Sequence, residues 1–131
     1  MQIPLLPRRF FVMLTLLIGS VWVFHGLYSK LLNGIPRHRA IVGQVLGAEW
    51  ALPGTIAVGV LEVLLGFWAW SRWRRRDCAV VQTLAISAMN ALEIIRARDL
   101  LISAPGMLVL NAAFLTMVWL WALTPGQRTS Q

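Results

Sequence analysis

The chain has 131 residues, of which 58% are hydrophobic and only 13% charged, with a formal charge of +7 at pH 7. A soluble domain normally carries about 25% charged residues, so this is the composition of a membrane protein. The basic excess does not point to nucleic acid, because the cations sit in short loops between apolar runs rather than along one soluble face.

The length allows one membrane domain, residues 1–131, with no repeat or low-complexity tract. Its first apolar run, about 10–28, follows Arg8 and Arg9 as the core of a signal peptide would. The run is long, however, and "HGLYSK" offers no small-x-small cleavage site, so it reads as an uncleaved span. In the connection that follows, Pro36 suits a first helical turn, and Ile41, Val42, Val45, Leu46 and Trp50 recur at helical spacing. A short amphipathic or re-entrant helix is expected over about 37–50, with Gly43 and Gly47 allowing close contact and "ALPG" turning the chain into the next span.

The second, third and fourth runs cover about 54–71, 78–95 and 106–123. Backbone in hydrocarbon must satisfy its own hydrogen bonds, and these lengths fit helices rather than the shorter alternating strands of a barrel. The expected fold class is therefore all-α, a bundle of four transmembrane helices. Gly59 and Gly66, one heptad apart, mark a packing face on the second span, and Ala85, Ser87, Ala88 and Ala91 mark one on the third. Cys78 is alone, which excludes an internal disulfide and a multi-cysteine metal site.

Antiparallel spans place Arg8, Arg9, Arg72, Arg74, Arg75, Arg76 and Arg128 on one side and Lys30, Arg37, Arg39, Arg96 and Arg98 on the other. The positive-inside rule then puts both termini and the "SRWRRRD" loop in the cytoplasm. Trp68, Trp70, Trp73, Trp119 and Trp121 fall near that cytoplasmic boundary, as an aromatic belt would.

Five polar groups are expected in the opposite half of the bundle: His25 on span one, Glu62 on span two, Asn90 and Glu93 on span three, and Asn111 on span four. A charged side chain facing lipid costs about 2.5–3.5 kcal/mol on insertion scales, so these groups should face one another or an aqueous vestibule. Each also has a plainer role. Glu62 can be a neutral acid bonded to Asn90 or Asn111, and Glu93–Arg96 and Arg96–Asp99 can be helix-end ion pairs. No hydrolase, nucleotide-binding or metal-ligand motif is present, and His25 lacks a second axial ligand for haem.

Three stretches together resemble the DoxX-like family of small bacterial membrane proteins: "VWVFHGLYSKLL" at the end of span one, "GVLEVLLGFW" in span two, and the Asn-containing fourth span. The resemblance implies a four-helix bundle with an embedded acid at Glu62, and with Gly26, Lys30 and Leu31 at the outer end of span one. It further implies a redox-linked or quinone-proximal accessory subunit, or a small-ligand-binding module with a polar pocket around Glu62. Quinone is the cofactor it suggests, and the lipid bilayer, a membrane redox protein and a second copy of the chain are the partners. The chain lacks a cysteine pair, which weakens any thiol mechanism. Two rival functions stay open, a proton-coupled exporter of cationic compounds and a structural scaffold, as does the question of whether any reaction is catalysed.

Overall fold

The computed structural model describes residues 6–125, and Arg128, counted above on the arginine side, lies outside them. Helix α1 (Arg8–Val23) continues without a break into a π-helical segment, Phe24–Leu31. After it come α2 (Pro36–Leu46), α3 (Ala51–Ser71), α4 (Arg75–Arg96) and α5 (Ala104–Leu123). No strand occurs among the described residues. Among the described residues, four helical stretches are long and apolar enough to cross a membrane: Arg8–Leu31, Ala48–Ser71, Arg75–Arg96 and Ala104–Leu123.

Local chemistry sets the helix ends. The Ser103 hydroxyl accepts from the Gly106 amide at 3.1 Å and so caps α5, where Pro105 occupies a first-turn position that needs no N–H. Pro53 is likewise tolerated in the first turn of α3. The helix between the first two spans ends earlier than position 50. Gly47 takes φ 110°, which interrupts the helical ladder, and a 3-10 turn, Ala48–Trp50, follows. Arg72 and Arg74, both with φ near the left-handed region (60° and 49°), make the tight turn from α3 to α4.

The most extensive contact in the bundle joins α1 and its π segment to α3. Two glycine pairs explain it. A Cβ on Gly66 would stand 2.7 Å from the Gly19 carbonyl, and one on Gly59 would stand 3.0 Å from the Gly26 carbonyl. The pairs are one heptad apart on both helices, as antiparallel small-residue packing requires. Helices α4 and α5 form the second large contact, and α1–α5 and α3–α4 contacts close the bundle, while α2 lies against α3, α4 and the π segment.

The apolar core, including Phe11, Ile18, Trp22, Leu65, Ile86, Val118 and Trp121, is threaded by indole hydrogen bonds. Trp22 Nε1 donates to Gln82 Oε1 at 2.7 Å, Trp121 Nε1 to Thr15 Oγ1 at 2.8 Å, and Trp119 Nε1 to Thr83 Oγ1 at 2.9 Å. Trp121 is fully buried, which corrects its assignment to the interfacial belt. Thr15 supplies inside the bundle the polar partner that the interface would otherwise give its indole. Leu16, Leu61, Leu64, Leu84, Ile95 and Leu110 are exposed on the outer faces, where hydrocarbon would cover them.

Replacing Gly66 by Val forces the α1 backbone away from α3. The variant should lose about 1–3 kcal/mol of stability, read as a lower unfolding midpoint in mild detergent, whereas Val109→Leu on the exposed face of α5 should leave the midpoint unchanged.

Candidate functional site

The acid inside "GVLEVLLGFW" is paired. Lys30 Nζ lies 2.6 Å from Glu62 Oε1, and the residues are only 8% and 6% exposed. Side chains on a helix lean toward its N-terminus. Because α1 and α3 are antiparallel, Lys30 leans down from the π segment, Glu62 leans up from α3, and the two converge across the glycine contact. Gly59 makes room for this, since a Cβ there would sit 3.1 Å from Lys30 Cβ.

A second cluster adjoins the pair on the π segment. The Ser29 hydroxyl donates to the His25 carbonyl, and the His38 Nδ1 lies 3.0 Å from Ser29 Oγ. Since the hydroxyl proton is already committed, His38 must donate Nδ1–H to Ser29, which defines its neutral tautomer. The His25 and His38 rings stack with centroids 6.1 Å apart. Burial, and then the charges of Lys30, His25 and Arg37, push the His38 pKa down from 6.5 to about 4.

The five residues picked from the sequence are thus distributed over three groupings. Glu62 pairs with Lys30, and Glu93 on α4 lies within electrostatic reach of both, and of Arg37. His25 belongs to the Ser29–His38 cluster and makes no hydrogen bond to Glu62 among the described residues. Asn111 Nδ2 donates to Asn90 Oδ1 at 2.8 Å, joining α5 to α4. Arg96 forms no ion pair with Glu93 or Asp99 among the described residues. Instead Gln44 on α2 donates to the Arg96 carbonyl at 2.9 Å and to Asp99 at 2.6 Å. Two open clefts, of about 620 Å³ beside α2 and about 440 Å³ at the arginine end, are lined by neither Glu62 nor His25. Arg72, Arg74, Arg75 and Arg76 lie together at the α3–α4 turn.

Lys30 is the partner of Glu62 that reading the residues alone missed. It is the single lysine of the chain, four residues after Gly26 and eight after Trp22, hence on the face that packs inward. His38 escaped notice because its position in the connection gave no sign that α2 would fold back onto α1.

Four long apolar helices enclosing a buried ion pair define a helical multi-pass membrane protein. The profile of the DoxX-like family matches residues 19–119, and the chain belongs to that family. Comparison with curated proteins and with solved structures gives no significant match.

Removing one member of a buried pair leaves the other uncompensated, at about 3–5 kcal/mol, whereas removing both in favour of apolar side chains is close to neutral. Glu62→Gln should therefore lower the unfolding midpoint sharply, and Lys30→Met/Glu62→Met should recover most of the loss. A loss in the double variant equal to the sum of the losses in Lys30→Met and Glu62→Met alone would show that the two charges do not interact.

His38 binds its proton more weakly in the folded chain than its unperturbed value of 6.5. Between about pH 6.5 and 4 the unfolded state therefore holds more protons, and stability falls as the pH falls through that window. His38→Asn, which keeps a donor near the Nδ1 position, should show a smaller drop in melting temperature than the parent on going from about pH 7 to pH 4.5.

Proposed function

We propose that the chain is a small-ligand-binding accessory subunit of the bacterial inner membrane, in which the Lys30–Glu62 pair is the group the ligand engages. The buried pair is the observation that carries this reading. Replacing a buried ion pair by apolar side chains is often neutral or stabilising, so the pair is poorly explained as a folding device, and ionisable groups inside spans mark ligand or proton paths. Glu93 and the His25–Ser29–His38 cluster border it, giving a ligand further polar neighbours.

A quinone suits these groups. Its carbonyl oxygens accept from the Lys30 ammonium, its reduced form can donate a hydroxyl to Glu62, and its ring and tail favour the surrounding apolar helices. A redox protein of the same membrane would be the partner that exchanges it. The arginine turn favours, by the positive-inside rule, cytoplasmic termini, with the ion pair and α2 toward the periplasm and α2 in that interface. The exporter reading is less well supported, because a carboxylate that alternates between proton and cargo cation is here 2.6 Å from a resident cation. A scaffold reading draws on the Gly19–Gly66 and Gly26–Gly59 contacts, which hold α1 to α3 without reference to any ligand.

The deciding experiment is purification in mild detergent, followed by mass spectrometry of co-purifying quinones, lipids and proteins, for the parent and the Lys30→Met/Glu62→Met chain. A quinone or other small molecule retained by the parent and lost from the folded double variant is the expected result. Identical co-purifying molecules in the two would leave the pair a structural feature and overturn the proposal.

A further inference from the structure

The cleft of about 440 Å³ at the arginine end lies between the start of α4 and the end of α5, far from the ion pair. Its size is within the range of small-ligand sites, about 300–1,000 Å³. One wall carries Arg74, Arg75, Arg76 and Asp77, and the other is formed by Ala122, Leu123, Thr124 and Pro125. The walls are thus of opposite character, cationic on α4 and largely apolar on α5.

The charges of the first wall are not equally free. Arg74 Nε lies 2.9 Å from Asp77 Oδ2, so the one carboxylate lining the cleft already has its counter-charge. Arg75 is held in place. It donates to the Trp121 carbonyl and, at 2.7 Å, to the Thr124 carbonyl, and its guanidinium lies over the Phe11 and Trp121 rings at 4.8 and 5.9 Å. Arg76 is exposed and makes no hydrogen bond or ion pair among the described residues. After the Arg74–Asp77 pair is discounted, the cleft keeps two cations without an acidic partner, one rigid and one free.

The surroundings indicate the depth of the site. Trp73 is 63% exposed in the adjoining turn, and the Trp68 indole donates to the Trp73 carbonyl at 2.7 Å. Exposed tryptophans beside arginines are the side chains that settle at the headgroup level of a bilayer. A cationic wall, an apolar wall and a position at headgroup depth together fit a molecule with a phosphate and a hydrocarbon tail.

We propose that this cleft binds the phosphate headgroup of an anionic phospholipid, with Arg76 bonding the phosphate oxygens, Arg75 supplying a fixed positive charge, and Leu123 and Pro125 contacting the start of the acyl region. Arginine forks match phosphate geometry, and basic recesses between membrane helices hold anionic headgroups in this way. The site is independent of the Lys30–Glu62 reading and of which side of the membrane the arginines face.

The test is native mass spectrometry of the delipidated full chain, titrated separately with phosphatidylglycerol, phosphatidylcholine and inorganic phosphate. Phosphatidylglycerol should bind more tightly than phosphatidylcholine. Arg76→Ala should weaken phosphatidylglycerol about fivefold, the effect of one basic residue near the headgroups, and Arg76→Lys should weaken it less. Arg98→Ala, which removes an exposed charge from the opposite end, should leave binding unchanged. Equal affinity for the two lipids, or equal weakening by Arg98→Ala, would overturn the proposal in favour of a general lipid annulus or of net charge. Competition by millimolar phosphate would overturn it in favour of a free-phosphate site. Because Arg76 bonds to nothing in the described fold, its replacement should leave the melting temperature intact, and a lowered one would itself contradict the assignment.

Discussion

The contact between α1 and α3 governs the rest of the bundle. Where the Gly19–Gly66 and Gly26–Gly59 pairs meet, two backbones approach more closely than any side chain would allow, and this fixes both the rotation and the vertical register of the helices. Only in that register do Lys30 and Glu62, leaning toward each other from antiparallel helices, end 2.6 Å apart. The π-helical widening of Phe24–Leu31 lies at the same place and carries His25, Gly26, Ser29 and Lys30. Such departures from α geometry are frequent at functional sites.

Polar chemistry is divided between the two ends and the middle of the molecule. At the end bearing α2, charge is concentrated in the ion pair and Glu93, and the neutral His38 ties α2 to the first span through Ser29. In the middle, indole N–H groups find Gln82, Thr15 and Thr83, so tryptophans serve as core residues without leaving a donor unsatisfied. At the other end, Arg75 closes the last carbonyls of α5 and packs on Phe11 and Trp121. The arginine cluster therefore has a structural member as well as freely exposed ones.

Much of this was legible from residues alone. Hydropathy marked four helices, the glycines of α3 marked a packing face, and the price of a bare carboxylate in hydrocarbon required that Glu62 have company. The company itself was misjudged. His25 suits the role because it is polar and falls with Glu62 in the half of the bundle opposite the arginines, while Lys30, at the helix end, counts as one of the loop cations. The side chain of a lysine is long enough for its charge to sit well below its own backbone, and a count of residues along the helix does not reveal that reach. Trp121 was misplaced for a related reason, since its hydrophobicity suits interface and core alike and only Thr15 on another helix decides between them.

The sequence by itself determined that this chain is a bundle of apolar helices with an acid that needs a counterpart, because burial preference is a local property of each residue type. Tertiary structure decided which counterpart it received, that the asparagines pair with each other, and that His38 folds back onto Ser29. Those outcomes depend on how neighbouring helices are rotated and shifted against one another. That arrangement is set by contacts between residues far apart in the chain.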